Sequence, residues 1–313
     1  MLYSALQGDP QTGLGVYGIT PFYNEELTIG SVAASIVAWK KRGRFGKHLL
    51  KWVMIDDGSS DNSKQIVEVY AKHNPFIKLI TLKRNMGKGY AYKVGGEWLV
   101  AHDPKIEERI VLQLDGDLRG IQPSNLDTLI KRLLEIVRVK GKGLRRLAVV
   151  ALVPSPHKFG LRKWFRERLA FATARERLAI TGQRAYFGGT MMNVLPLIDA
   201  NTGFGLEALL DAETIRESKY VKRRYGLTER QRRQLIWVTK WDNVKHVSHI
   251  EKVKFTTNDA VEGNPIMGKH MAVFRICKHY LTLGIECGFG IIKGVFGVRK
   301  RWMSKRQSKK GRV

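Results

Sequence analysis

The sequence predicts an α/β fold with a mostly parallel central sheet and helices on both faces. Within residues 14–130, short runs of branched apolar residues alternate with segments whose apolar residues recur every three or four positions. This alternation is typical of parallel sheets, because each strand needs a crossover helix before the next strand can run in the same direction. Acidic, basic and glycine residues gather where the predicted strands end. In an open α/β sheet, the carboxyl ends of the strands are where ligands bind.

The first strand is predicted at residues 16–20, where Pro21 is expected to stop it. A helix follows, with apolar residues at helical spacing from Leu27 to Val37. Glu25 and Glu26 are expected in its first turn, because acidic side chains there complement the helix dipole.

The second and third strands, predicted at residues 51–55 and 76–82, each lead into a polar loop. The loop 56–63 combines acids, a glycine and helix-capping residues, which indicates a turn from strand to helix. The loop 83–89 offers cations, glycines and backbone N–H groups, which makes it a candidate phosphate cradle. The helices expected after these loops cover residues 65–70 and 90–101.

The fourth strand, predicted at residues 110–114, ends in the sequence Asp115-Gly-Asp117. Two carboxylates released together are costly to bury unless a cation neutralises them. Hard oxygen ligands suit Mg²⁺ or Mn²⁺, which proteins commonly hold together with substrate phosphates. The sequence therefore predicts a divalent metal at this strand end, with a solvated Asp-Gly turn as the alternative.

Four segments of this half stand out as motifs: Thr20-Pro-Phe-Tyr-Asn-Glu-Glu26 with Ile29-Gly30, Ile55-Asp-Asp-Gly-Ser-Ser-Asp-Asn-Ser63, Arg84-Asn-Met-Gly-Lys-Gly89 and Gln113-Leu-Asp-Gly-Asp117. In order and spacing they resemble the family 2 glycosyltransferases. The resemblance implies the GT-A fold, a UDP- or GDP-sugar donor and Mg²⁺ or Mn²⁺. Within the family, the chain is most similar to polyprenyl- or dolichyl-phosphate sugar synthases.

The resemblance also implies roles for individual residues. Asp57 corresponds to the acid that binds the base of the nucleotide, and Asp115 and Asp117 to the Asp-x-Asp motif, with Asp117 as the direct metal ligand and a catalytic residue. The remaining nucleotide-sugar contacts that it implies in this half are Pro21, Tyr23, Glu25, Asn85, Gly87 and Lys88.

In the second half, a helix is predicted at residues 126–139 and a strand at residues 147–153. Residues 158–177 are strongly basic with interleaved aromatic side chains. This segment is either an amphipathic helix with a solvated basic face or a positive surface for an anionic acceptor or lipid headgroups.

Two further motifs concern the acceptor side. The segment 181–187 resembles a Ser/Thr-Gly-x-Arg segment of polyprenyl-phosphate sugar synthases, which implies that Gln183 and Arg184 lie near the diphosphate or the acceptor phosphate. By that resemblance Gln183 is a nucleotide-sugar contact and Arg184 a catalytic residue. The segment 201–209 is similar to a Gly-x-Gly-x-Glu segment of the family. By that similarity Glu207 is a candidate general base for a hydroxyl acceptor, and the alternative is an acid at a helix start.

Edge strands are predicted within residues 236–255, at 236–239 and 244–249. In some relatives a histidine near this position completes the metal site. We therefore expect His249 as the third metal ligand, with His246 as the alternative and a structural histidine as the simpler interpretation.

Composition adds a net charge of +27, which implies an anionic partner such as nucleic acid, an anionic membrane or a phosphorylated substrate. Cys277 and Cys287 form no metal-ligand pattern and suggest a reducing compartment. The sequence shows neither a secretory leader nor a long uncharged apolar run, so we expect neither a signal peptide nor a transmembrane helix.

The predicted organisation is a glycosyltransferase domain at residues 1–255, divided into a nucleotide-sugar half at 14–130 and an acceptor half at 131–255. Residues 256–313 form an amphipathic segment with a polybasic end, which is expected to bind an anionic membrane from the cytoplasmic side. The alternative for this segment is a helix packed on the enzyme with a disordered basic tail.

The predicted function is inverting, metal-dependent transfer of a sugar to a polyprenyl phosphate. A soluble phosphorylated acceptor such as 3-phosphoglycerate is the main alternative. A nucleic-acid-binding protein would fit the charge, but the sequence has no helix-turn-helix, RNP-type or zinc-finger pattern. A catalytically inactive relative acting as a scaffold is disfavoured by the intact Asp115 and Asp117.

Overall fold

The computed structural model describes residues 13–139, 141–153, 181–199 and 202–247. Within these residues a seven-stranded sheet has the order β10-β8-β9-β4-β1-β2-β3. Its strands are β1 (Val16–Phe22), β2 (Leu49–Asp56), β3 (Ile77–Thr81), β4 (Ile110–Gln113), β8 (Ala148–Leu152), β9 (Arg184–Phe187) and β10 (Ile236–Lys240). Only β9 runs antiparallel to its neighbours. The predicted α/β fold class with a mostly parallel sheet is confirmed.

The described residues also contain two smaller strand pairs and seven α-helices. The strand pairs are β5 (Leu118–Arg119) with β11 (Lys245–His246), and β6 (Ile136–Val139) with β7 (Lys142–Arg145). The helices are α1 (Ile29–Arg42), α2 (Ser63–His73), α3 (Lys88–His102), α4 (Pro123–Leu134), α5 (Gly188–Val194), α6 (Leu206–Tyr225) and α7 (Glu229–Arg233). In this part of the chain, none of the helices combines the length and the apolar character needed to cross a bilayer.

Helices cover both faces of the sheet because successive side chains of a strand point to opposite sides. Along β1, Val16 packs into an apolar cluster with α1, α2 and α4, whereas Tyr17 and Ile19 pack into a second cluster with α3, α5 and α6. All three residues are buried. The sheet is therefore a rigid platform, buried on both sides, that positions the loops at its edge.

Strand β1 continues through Pro21 and Phe22, so the expectation that Pro21 stops it is wrong. The last residue of β1 that pairs with β4 is Ile19, opposite Gln113. Beyond Ile19 this strand is paired with β2 alone. A proline, which cannot donate to a neighbouring strand, is tolerated where one side of the strand is unpaired.

Helix α1 begins at Ile29, so Glu25 and Glu26 precede it instead of forming its first turn. Their backbone is held by the loop after β2: Glu25 N donates to Ser63 Oγ at 2.7 Å, and Glu26 N donates to Asp61 Oδ2 at 3.1 Å. These hydrogen bonds between segments hold Glu25 and Glu26 outside the helix, although acidic residues at this position are typical of a first helical turn.

The predicted helix 126–139 is wrong at its carboxyl end, because α4 ends at Leu134 and β6 follows. Val137 and Val139 are buried while the residues beside them in β6 are exposed, which is the period of two typical of a strand. Gly141, with a φ of 75°, lies between β6 and β7. A left-handed glycine is well suited to close such a hairpin.

Candidate active site

Four loops meet at the edge of the sheet where β1, β2, β3 and β4 end. Contacts between the loops show the convergence. A Cβ on Gly116 would lie 2.8 Å from Phe22 Cβ and 3.4 Å from Glu25 Cγ, so the loops after β4 and β1 touch. A Cβ on Gly58, which has a φ of 72°, would lie 2.5 Å from Arg84 C, so the loops after β2 and β3 touch as well.

Asp57 fastens the loop after β3 to the loop after β2. Its two carboxylate oxygens accept the backbone N–H groups of Met86 and Gly87, both at 2.8 Å. Burial raises the pKa of Asp57, while these two backbone bonds act to lower it. The residue predicted to bind the nucleotide base thus also shapes the loop 85–88 that is predicted to hold the nucleotide.

Within that loop, Gly87 and Asn85 set the start of helix α3. Gly87 has a φ of 89°, a conformation that favours glycine, and precedes the first residue of α3, Lys88. Asn85 Oδ1 accepts the N–H of Gly87 at 3.1 Å. The loop therefore directs Lys88 from the helix start toward the acids after β4.

Lys88 is the cation at the centre of the site. Its Nζ donates to Asp115 Oδ1 at 2.6 Å and to Glu207 Oε1 at 2.5 Å. Burial by itself lowers the pKa of Lys88, but the charges of Asp115 and Glu207 outweigh burial and raise it above its usual value. Lys88 is therefore charged and neutralises two carboxylates that come from different halves of the chain.

Asp117, directly before β5, lies beside His246 of β11. His246 Nδ1 is 3.0 Å from Asp117 Oδ1, and Val247 N donates to Asp117 O at 2.9 Å. Burial lowers the pKa of His246, but its hydrogen bond to Asp117 and the charges of Asp117 and Asp115 outweigh burial and raise it. The imidazole is thus held against an acidic cluster.

The donor set fits a divalent cation. One ligand atom from each of Asp115, Asp117 and His246 lies within 4.8 Å of the others, and all three side chains are half-buried. The two carboxylates suit Mn²⁺ or Mg²⁺, whereas the imidazole favours a transition metal over Mg²⁺. His249, the predicted third ligand, lies outside the described residues, and His246, the alternative, is the histidine that the described residues bring to Asp117.

Gln183 and Arg184 lie behind the acids and are fully buried, with exposures of 0% and 1%. Gln183 Nε2 donates to Asp115 Oδ2 at 2.6 Å. Arg184 donates from Nη1 to Asp211 Oδ1 at 2.9 Å and from Nη2 to Thr181 O at 2.7 Å. The sequence resemblance places both side chains near a phosphate, but the structure directs their donors to protein groups.

Glu207 belongs to the first turn of α6 and is 3% exposed. Its Oε1 accepts from Lys88, and its Oε2 is buried without a hydrogen-bond partner among the described residues. A carboxylate at a helix start is stabilised by the helix dipole. Both sequence interpretations of Glu207, a helix-start acid and a residue of the site, agree with this position.

The three remaining predicted contacts lie on or just after β1. Pro21 is buried within the strand, whereas Tyr23 is 41% exposed at the surface of the edge. Glu25 is half-buried, and its Oε2 accepts the hydroxyl of Thr28 at 2.9 Å. Among these, Tyr23 and Glu25 have side chains accessible from the edge of the sheet.

Sequence reasoning assigned no role to two residues of the site, Asp211 and Gly182, the latter being only the glycine of the segment 181–187. A Cβ on Gly182 would lie 1.9 Å from Asp115 Oδ1, so only glycine fits against that carboxylate. Asp211, which pairs with buried Arg184, lies one helical turn after Glu207. That spacing of two acids on one helix was the signal available in the sequence.

Comparison with known proteins finds a family match over the first half of the sheet. Residues 18–119 match the model of the family described as "Glycosyl transferase family 2". The chain is 35% identical over 123 residues to a dolichyl-phosphate beta-glucosyltransferase of Trichomonas vaginalis, covering 36% of each chain. It is 30% identical over 118 residues to an undecaprenyl-phosphate 4-deoxy-4-formamido-L-arabinose transferase of Shewanella sediminis, covering 37% of this chain and 32% of the relative. The matches thus span about a third of the length of these relatives.

Solved structures share the fold of the described residues. Glucosyl-3-phosphoglycerate synthase from Mycobacterium tuberculosis superposes with a TM-score of 0.51 at 18% identity, covering 92% of this chain and 83% of that one. Mannosyl-3-phosphoglycerate synthase from Rubrobacter xylanophilus gives a TM-score of 0.51 at 14% identity, covering 86% and 75%. The matched sequence includes the strand ends from β1 to β4, and the sheet is that of the GT-A structures, so residues 18–119 are similar to the family 2 glycosyltransferases and the described residues have the GT-A fold.

Proposed function

We propose that the protein transfers a sugar from a UDP- or GDP-sugar to a polyprenyl phosphate, with inversion at the anomeric carbon and with Mg²⁺ or Mn²⁺. The observation that carries the proposal is the convergence of Asp115, Asp117, His246 and Lys88 at the carboxyl edge of a GT-A sheet. Support also comes from relatives whose names state dolichyl phosphate and undecaprenyl phosphate as acceptors.

The donor side of the proposal follows from the arrangement of the edge. Asp117 and His246, with Asp115 beside them, would hold the metal, which when bound would neutralise charge on the departing diphosphate. The loop 85–88 leads into the N-terminus of α3, where the helix dipole and the N–H groups of the first turn favour phosphate. Asp57, Glu25 and the backbone around Pro21 remain the proposed contacts to the base and ribose, and Tyr23, exposed at the edge, is a further proposed contact to the nucleotide-sugar.

The role of the residues on the acceptor side depends on whether the acceptor must be deprotonated by a general base. In the transfer, the bond between the anomeric carbon and the diphosphate oxygen breaks as a bond to the acceptor oxygen forms on the opposite face. A phosphate oxygen is already ionised, so no side chain has to remove a proton. Glu207 then serves to hold Lys88, as the 2.5 Å contact between them suggests.

A soluble phosphorylated acceptor that attacks through a hydroxyl, such as 3-phosphoglycerate, is the second candidate, and the site gives it a base. Glu207 has one buried carboxylate oxygen that makes no hydrogen bond within the described residues. For a hydroxyl acceptor that oxygen would be the general base.

The substitution Glu207→Gln separates these two candidates, because the amide keeps an oxygen for Lys88 but is not a base. With a polyprenyl phosphate acceptor we expect the turnover to remain within about tenfold of the wild-type value. With a hydroxyl acceptor we expect a loss of about 10²–10⁴-fold, the usual contribution of a general base.

The primary experiment measures nucleotide release and product formation with UDP-glucose, UDP-N-acetylglucosamine, UDP-galactose and GDP-mannose, each with Mn²⁺ and with chelator. Polyprenyl phosphate and 3-phosphoglycerate are the two acceptors. We expect one donor to react with polyprenyl phosphate only when metal is present. Reaction of no donor with either acceptor contradicts the transferase proposal.

Membrane association is the remaining part of the proposal, and it depends on residues 256–313, which lie outside the described residues. The sequence from Arg299 to Arg312 is polybasic and contains no acid. Such a segment favours anionic surfaces by about 1 kcal/mol per basic residue near the membrane. Cosedimentation with anionic vesicles that is lost in neutral vesicles or at high salt tests this part, and equal binding to both vesicle types would contradict it.

A further inference from the structure

Both carboxylate oxygens of Asp115 are held by protein donors. Oδ1 accepts from Lys88 Nζ, and Oδ2 accepts from Gln183 Nε2, both at 2.6 Å. The two donors come from different elements, the start of α3 and the segment before β9. Since each carboxylate oxygen can accept a second hydrogen bond, Asp115 keeps one acceptor position per oxygen for a ligand, in a fixed orientation.

The backbone before β9 forms a wall against the same carboxylate. A Cβ on Gly182 would lie 1.9 Å from Asp115 Oδ1 and 2.4 Å from its Cγ and Oδ2. The main chain of Gly182 thus approaches Asp115 as closely as an unsubstituted backbone allows. Asp115 cannot swing toward this side, and the two hydrogen bonds restrain it on the others.

The amide of Gln183 is oriented by its neighbours. The hydroxyl of Thr181 lies within hydrogen-bond distance of Gln183 Oε1, which leaves Nε2 to face Asp115. Thr181 O in turn accepts from Nε and Nη2 of Arg184 at 3.1 and 2.7 Å. Because the Arg184–Asp211 pair is buried, with side-chain exposures of 2% and 6%, it anchors the segment in the core.

We propose that the segment 181–184 is a clamp that positions Asp115, and that Gln183 acts on the bound nucleotide only through that carboxylate. The side chain of Gln183 has an exposure of 0%, so no ligand reaches it directly. Arg184 holds the clamp together instead of binding a phosphate. The clamp thereby fixes the position of the Asp115 carboxylate next to Asp117 and His246 before a ligand binds. A fixed position of such groups is what correct orientation of a substrate requires. The proposal rests on the proposed function for its ligand, but the clamp itself is a property of the ligand-free protein.

A double-mutant cycle between Gln183→Met and Asp115→Ala tests the clamp, since methionine keeps the length of the side chain and removes the donor. The first readout is the affinity of the full chain for UDP and for GDP in the presence of Mn²⁺, measured by titration calorimetry. We expect Gln183→Met to weaken binding about 10–100-fold when Asp115 is present, as outer partners of such sites do. In the Asp115→Ala background we expect less than about a twofold effect, because a residue that acts only through Asp115 then has nothing to act on.

The second readout needs no ligand. Thermal unfolding of the same four proteins should show that Gln183→Met lowers the midpoint in the wild-type background and lowers it less when Asp115 is alanine. Gln65→Met, at an exposed position of α2, is the control and should change neither readout.

The outcomes separate the clamp from the proposed function. An equal loss of nucleotide affinity in both backgrounds means that Gln183 contacts the ligand independently, and it overturns the proposal. An equal drop in the unfolding midpoint in both backgrounds overturns it as well. If the wild-type protein binds neither nucleotide, the proposed function fails, while the ligand-free cycle still decides whether the clamp exists.

Discussion

The substitution Gly182→Ala is the sharpest test of the geometry around Asp115. The added Cβ would lie 1.9 Å from Asp115 Oδ1, far inside the normal contact between a methyl group and an oxygen. The carboxylate must therefore retreat by more than about 1 Å to restore contact distances. Such a movement breaks the two 2.6 Å hydrogen bonds to Lys88 and Gln183.

Two consequences follow from this displacement. A shift of about 1 Å in a group that orients a substrate costs about 10²-fold in rate, so we expect the turnover of the best donor to fall by about that factor. Overpacking of a buried position costs about 1–3 kcal/mol of folding free energy, which a urea unfolding titration would detect. Gly182 is not among the glycines with positive φ, so backbone strain adds nothing to either effect.

The matched control is Gly30→Ala in α1, where the new Cβ would meet Ile66 Cγ2 at an ordinary distance of 3.4 Å. Alanine is also the better helix former, so this variant should be as active and at least as stable as the wild-type protein. If Gly182→Ala keeps the turnover within threefold of wild type with unchanged stability, the contact between Asp115 and the backbone before β9 is refuted.

Three further predictions concern the metal and the charges. Asp117→Asn should weaken Mn²⁺ binding by about tenfold or more in a calorimetric titration, and an unchanged affinity would exclude Asp117 as a ligand. Lys88→Met leaves two carboxylates without their cation, so it should lower the free energy of unfolding, measured in urea, by about 3 kcal/mol. As a control, Lys64→Met removes only an exposed ion pair within a helix and should lower it by about 0.3–0.5 kcal/mol. Equal losses would contradict the central role of Lys88. Burial acts to raise the pKa of Asp103, but the hydrogen bond from Arg109 and its other donors outweigh burial and lower it. The stability that this lowered pKa contributes is present above the unfolded pKa of about 4 and is lost as the pH falls through the lower folded value. The difference in melting temperature between wild type and Asp103→Asn should therefore shrink from pH 7 to below pH 4. A constant difference would contradict a lowered pKa of Asp103 in the folded protein.

The sequence was sufficient for the features that local pattern encodes. The alternation of strands and helices up to Asp117 was confirmed, and the acids of the loop after β4 and the glycines and Lys88 of the loop after β3 were found at the strand ends where they were expected. The reason is that a few consecutive branched apolar residues predict a buried strand, and parallel strands have their carboxyl ends at the same edge of the sheet. The errors arose at the start of α1, where contacts with the segment after β2 outweighed the local signal, and at the end of α4, where the β6–β7 hairpin takes the place of the predicted last turns.

Only the tertiary structure decided which side chains share the site. His246 meets Asp117 from 129 positions away, Glu207 meets Lys88 from 119 positions away, and Gln183 meets Asp115 from 68 positions away. Periodicity carries no information about such separations, because a hydrogen bond across the fold depends on how whole elements pack. The sequence alone therefore determined the resemblance to the family 2 glycosyltransferases, the parallel strands of the sheet and the strand-end acids. The packing of β9, α6 and β11 against the edge determined which groups neutralise and orient those acids.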